Sequence, residues 1–206
     1  MVGELPHRSP EEGKARILRA ALQRYLRGQR IELVQLAAEQ GVSRATAYRW
    51  WGSNDRLLAE VCTQRVTETI VRLLRDNVHR AGREKVLCVV DGFLRHAVES
   101  RRLAALLKHD QRRTLKVIAT SVYGVQQTVV ALFGDLLAAE QVAGNIALVV
   151  PAHTLALGIV RLIEASLYAD LVTGEKRDVE AAVQLIGLLI PSQPADDERS
   201  VSQPDR

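Results

Sequence analysis

An all-α fold is what the sequence predicts, on three observations. Apolar residues recur at three- and four-residue spacing through almost every stretch of the 206 residues. Of six prolines, only Pro151 falls inside or between the helical stretches. No Asn-Gly or Asp-Gly pair is flanked by alternating strands, and Asp91-Gly92 sits in an apolar helical pattern. The expected architecture is an N-terminal helix–turn–helix domain of three helices over 1–65, a longer helical domain over 66–191, and a disordered tail over 192–206.

The elements follow in order. Ser9, Pro10 and Glu12 form a capping box that starts the first helix. Ile17, Leu18, Ala21, Leu22, Tyr25 and Leu26 give that helix one apolar stripe, and Gly28 stops it. A short helix over 32–40 turns Leu33, Leu36 and Ala37 inward and ends at Gly41 in a left-handed conformation. Ser43 caps a helix over 44–50. Ser53 or Asn54 caps the next, whose stripe Leu57, Leu58, Val61 and Val66 runs to about 77. Further helices are expected over 84–99, 102–109, 111–139 with a break around 119–121, 146–172 and 176–190.

Charge is distributed unevenly. The formal net charge is +4, with 11 basic and 7 acidic residues in 1–65, 12 and 6 in 66–116, and 5 and 11 in 117–206. A basic front suggests a polyanion partner or simply a solvated helix face. Two cysteines, Cys62 and Cys88, make neither a disulfide framework nor a zinc ligand set, and they fit a reducing, cytoplasmic compartment. The first sixteen residues have no apolar core, so no secretory leader is expected. Uncharged runs of 20 residues after Glu140 and 18 after Lys116 approach membrane-spanning length. Gln141, Asn145, Pro151 and His153 interrupt the first, and Gln126 and Gln127 the second. Buried or oligomer-forming helices are therefore expected, with no membrane partner.

Chemistry concentrates between Glu32 and Leu58. Two short helices are joined there by the tight turn Gln40-Gly41-Val42-Ser43. Ala47 and Trp51 share the packing face of the second helix, which leaves Arg44, Ala45, Thr46, Tyr48 and Arg49 outward. Arginine donates to the guanine edge or to phosphate, and the hydroxyls of Thr46 and Tyr48 donate to phosphate. Ala45 lets the helix approach closely and offers a methyl to thymine. Backbone N–H groups near Ser53, Asn54 and Asp55 suit a phosphate. Double-stranded DNA is the partner these residue types fit.

The same residues resemble a family, the TetR transcriptional repressors. Gly41-Val42-Ser43, Thr46-Ala47-Tyr48, Trp50-Trp51, Ser53 and Leu57-Leu58 carry the resemblance, which covers about 10–65. Trp50-Trp51 stands where the family often has Tyr-Phe, and Gly52 where it often has Pro. Asn54 stands where a phosphate-contacting lysine is usual, though an amide can still donate to phosphate. Ser43, as part of the motif, and Trp50, by packing or by touching the DNA backbone, join the expected DNA-binding set. Residues 84–118 are similar to the subgroup that regulates quorum-signal lactonases.

The resemblance implies a C-terminal ligand pocket and a dimer built by the last two long helices. Apolar residues around 146–172 and the stripe Val179, Val183, Leu185, Ile186 and Leu189 are compatible with a four-helix contact between two chains. A homodimer on a two-fold axis would read a palindromic operator. Phe93, His96, Tyr123, Gln126, Gln127 and His153 are the expected contacts of a small, mostly apolar effector such as a lactone or acyl compound. Arg161 and Glu164 read as an ion pair. The basic run 101–116 reads as a solvated face, a DNA-backbone contact or a seat for an anionic head group. No catalytic motif, cofactor signature or metal ligand set is found, so no enzyme is expected. The expected function is a ligand-released repressor; the alternative is a helical adaptor or activator that keeps the fold.

Overall fold

Helix follows helix from Pro10 to Leu189 in the computed structural model, which describes residues 10–172 and 174–191. The Ser9 cap and the tail expected over 192–206 lie outside the described residues. The helices are α1 (Pro10–Leu26), α2 (Leu33–Glu39), α3 (Arg44–Trp51), α4 (Asn54–Asp76), α5 (Gly82–Val98) and α6 (Arg101–His109). They continue with α7 (Gln111–Ala119), α8 (Val125–Val142), α9 (Ala152–Leu167), α10 (Ala169–Val172) and α11 (Val179–Leu189). The described residues contain no strand.

Local chemistry sets most of the ends. Ser43, Ser53, Ser100, Asp110 and Asp178 each accept a backbone N–H three residues on. Each bond satisfies one of the donors that the first turn of a helix leaves without a partner. Gly41 ends α2 with φ +66°, and the Val42 N–H returns to the Ala37 carbonyl at 2.8 Å. A β-carbon would be strained at that φ, so glycine is the residue the turn requires.

The chain forms two compact units whose boundaries fall within α4, α5 and α8. Among the described residues, the first comprises 10–69 and 96–129. Ile17 and Ala21 of α1, Leu36 and Ala37 of α2, Ala47 and Trp51 of α3, and Leu57, Leu58 and Val61 of α4 build its core. Leu106, Val117 and Val125 complete it, so 96–129 pack with the N-terminal residues although the sequence boundary was expected at 65. Cys62 lies in this core, where burial pushes its thiol up to about 12 and keeps it neutral.

Among the described residues, the second unit comprises 70–95, 130–172 and 174–191. Phe93 and Phe133 meet edge to face with centroids 5.9 Å apart. Leu94, Leu137, Ile159 and Ile186 are fully buried. A buried carboxylate ties α5 to α8: Glu140 accepts from the Gly82 N–H (2.7 Å), Lys85 Nζ (2.7 Å) and Asn145 Nδ2 (2.8 Å). Arg83 donates from Nε to the Gly187 and Ile190 carbonyls, both at 3.1 Å, at the C-terminal end of α11. A cation there meets the negative end of the helix dipole.

The helix expected over 146–172 is corrected. It starts only at Ala152, with Pro151 as its N-cap, and turns at Tyr168 before α10. Proline has no N–H and biases the residue before it toward extended backbone, so the apolar run 146–150 stays outside the helix. Val149 is accordingly 82% exposed, whereas Ile146 is buried. The last helix runs from Val179, not 176, because Asp178 caps it. No helix among the described residues is long and apolar enough to cross a membrane.

Candidate nucleic-acid interface

The eight residues of α3 divide as their spacing dictates. Ala47 (0% exposed) and Trp51 (3%) face the core, and Arg44, Ala45 and Arg49 are exposed. Thr46 and Tyr48 are half-buried at the edges. Ser43 Oγ accepts the Thr46 N–H at 3.1 Å and donates to Thr46 Oγ1 at 2.9 Å, which orders the first turn. The Arg44 guanidinium lies 5.5 Å from the Tyr48 ring centroid. Among the described residues neither Arg44 nor Arg49 is ion-paired.

Two tryptophans fasten α3 to its neighbours. Trp50 packs so tightly on α1 that a β-carbon on Gly13 would stand 2.8 Å from its ring. Trp51 Nε1 donates to Glu60 Oε2 of α4 at 2.5 Å, and Lys14 Nζ lies 5.5 Å from its ring centroid. Half-burial of Trp50 therefore serves packing directly.

Asn54 is turned inward. Its Oδ1 accepts the Leu33 N–H at 2.6 Å, and its Nδ2 donates to Glu32 Oε2 at 2.8 Å. Ser53, not Asn54, caps α4. Arg56, absent from the expected set, is exposed in the first turn of α4. A basic side chain three residues after the capping serine was the sequence signal that could have found it.

Behind α3, the carboxylate of Asp55 joins α4 to α7 and the turn before α8. It accepts from Arg113 Nε (2.8 Å), Tyr123 Oη (3.0 Å) and Lys116 Nζ (3.4 Å). Burial opposes its ionisation, but these donors outweigh burial and hold the carboxyl below its ordinary value. Two of the basic residues in 101–116 thus neutralise an internal acid. His109 Nε2 lies 2.9 Å from the Gly28 carbonyl and Arg102 Nε 3.4 Å from that of Leu26, both just at or beyond the end of α1.

The expected effector residues are divided between the units. Phe93 is core, and His153 is exposed on α9. His96 lines an open groove of about 610 Å³ with Leu26, Arg27, Ser100, Arg101 and Ala105. Tyr123 is bound to Asp55. Gln126 Nε2 donates to the Ala119 carbonyl (3.2 Å) and Gln127 Nε2 to that of Ser121 (2.6 Å), which stitches the turn between α7 and α8. Arg161 and Glu164 form the expected ion pair at 2.9 Å. No group of three His, Cys, Asp or Glu among the described residues could hold a metal ion.

Known proteins share this fold. Residues 81–191 match the model of the tetracyclin repressor-like C-terminal domain. The transcriptional repressor QsdR of R. erythropolis, a TetR-family protein, is 28% identical over 87% of this chain and 95% of its own, with a TM-score of 0.78. FadR of Bacillus subtilis, solved with stearoyl-CoA, shares the fold at 16% identity over 85% and 96% of the two chains, TM-score 0.53. Reduced NemR of E. coli does so at 13% over 89% and 99%, TM-score 0.55. No curated protein sequence matches the chain. With the C-terminal domain matched and the helix–turn–helix in place, the chain belongs to the TetR family of transcriptional regulators.

Proposed function

We propose that the chain is a homodimeric repressor that binds a palindromic operator through α3 and is released by a small, mostly apolar effector. The observation that carries this reading is the division of α3: Arg44, Ala45 and Arg49 stand exposed on a helix whose opposite face, Ala47 and Trp51, is buried. Arg44 and Arg49 read base edges or phosphates, and Thr46 and Tyr48 fix register on the backbone. Ser43 orders the first turn, and Trp50 holds the helix against α1.

One helix of eight residues spans only a few base pairs. A second copy on a two-fold axis doubles the reading and demands a palindrome. Leu185, Leu188 and Leu189 of α11 are 52%, 80% and 41% exposed, which supports an apolar dimer face on that helix. A lactone or acyl compound remains the effector class, on the family resemblance.

Selection of duplexes from a random pool by the purified chain tests the reading. The expected result is a palindromic site whose affinity falls steeply with salt, because neutralised phosphates release counterions. Recovery of no enriched sequence, or salt-indifferent binding, would sink it.

A further inference from the structure

Two side chains at the start of α4 differ in their surroundings. The Asn54 amide faces the interior on both sides. Oδ1 takes the Leu33 N–H and Nδ2 reaches Glu32, the N-cap of α2, which has no side-chain cap bond of its own. The second oxygen of Glu32 receives Arg30 Nε at 2.7 Å. One amide thus holds the entry to α2 against the entry to α4.

Arg56, two residues on, is exposed. Its Cδ lies 3.9 Å from the place a β-carbon would take on Gly52, the C-cap of α3. Helical side chains lean toward the N-terminus of their helix, so the Arg56 stem runs back over the end of α3. Glu60, four residues ahead, is the ordinary helical partner for such a cation. Its Oε2 receives the Trp51 indole, and among the described residues Arg56 has no ion pair. Arg65, Arg80 and Arg95 do pair with acids at comparable spacing. An uncompensated guanidinium therefore borders the exposed face of α3, and its planar fork suits a phosphate.

We infer that Arg56 grips a DNA phosphate at the junction of α3 and α4, and that Asn54 is a positioning residue that sets α2 against α4. The inference rests on the DNA-binding reading above. Arg56 adds a sequence-independent contact beside the base-reading face. Asn54 acts on DNA only through the placement of the helices.

The test is a salt titration of the full chain against a mixed-sequence duplex of about 30 base pairs, followed by anisotropy, with thermal unfolding in parallel. Each lost phosphate contact lowers the slope of log affinity against log salt by about 0.9. A dimer carries two copies of Arg56, so Arg56→Gln is expected to lower the slope by about 1.8 with unchanged melting, and Arg56→Lys to restore most of it. Asn54→Ala is expected to melt lower and keep the wild-type slope. A wild-type slope in Arg56→Gln overturns the Arg56 role, as does failure of that variant to fold. Unchanged melting in Asn54→Ala overturns the positioning role. A wild-type chain that ignores the duplex overturns the DNA-binding reading and this assignment with it.

Discussion

Asp55 and Tyr123 are 68 residues apart in sequence, and the Tyr123 hydroxyl donates to Asp55 Oδ2 at 3.0 Å. Asp55 lies in the first turn of α4, directly after α3, and Tyr123 lies in the turn that leads to α8. With Arg113 and Lys116 on the same carboxylate, the start of α4 is fixed by groups that arrive from α7 and beyond. Any movement of α7 within this unit must drag or break that attachment.

Asp55→Asn should lower stability at neutral pH by about 1.5–3 kcal/mol, the range for hydrogen bonds to a charged group. The wild-type carboxyl titrates below the ordinary 3.8 because its donors outweigh burial. A depressed folded value makes the stabilisation complete above the unfolded value and lost as pH falls through the folded one. The gap between wild type and variant should thus be full at pH 7 and close below 3.8. Circular dichroism melts across that range check it, and a gap that persists in acid would refute the electrostatic account.

Gly82→Ala should destabilise through the backbone. Gly82 has φ +59°, and a β-carbon there would stand 2.7 Å from the Asn145 carbonyl oxygen. Left-handed strain alone costs about 1–3 kcal/mol, and neither backbone can yield freely. The same move would disturb the Gly82 N–H bond to Glu140. A denaturant midpoint equal to wild type would contradict this.

Leu188→Glu should yield a folded monomer. The side chain is 80% exposed on α11, so a charge there is tolerated by one chain and buried unpaired between two. Sedimentation of wild type and variant at equal concentration decides the point. A variant that stays dimeric removes α11 from the interface, and a monomeric wild type removes the dimer.

Arg44→Ala should weaken operator binding by about 1–3 kcal/mol and relax preference at one base pair. Binding to mixed-sequence DNA should change far less. Equal losses on both duplexes would make Arg44 a phosphate contact only.

The elements legible in the sequence are those set by near neighbours. Gly41, the Ser43 cap and the Ala47–Trp51 face each depend on residues within four or five positions, and the structure places them as read. Asn54 was not legible, because its partners Glu32 and Leu33 lie 22 and 21 residues away and nothing local orients an amide. Residues 146–150 misled because an apolar run resembles a helix, although Pro151 carried the opposing signal. Gln126 and Gln127 were read as effector contacts on residue type, but type does not say that one amide bonds to the end of α7 and the other to the turn before α8.

Trp50 and Trp51 are the chain's two tryptophans, adjacent and edge to face at 5.9 Å. Both belong to the end of α3, and residues 70–95 and 130–206 contain no indole. The protein thus carries its own optical label on one unit. Indole emission reports the surroundings of α3 and is silent about the other unit, so emission and helical ellipticity followed through one melt resolve whether the two units unfold together.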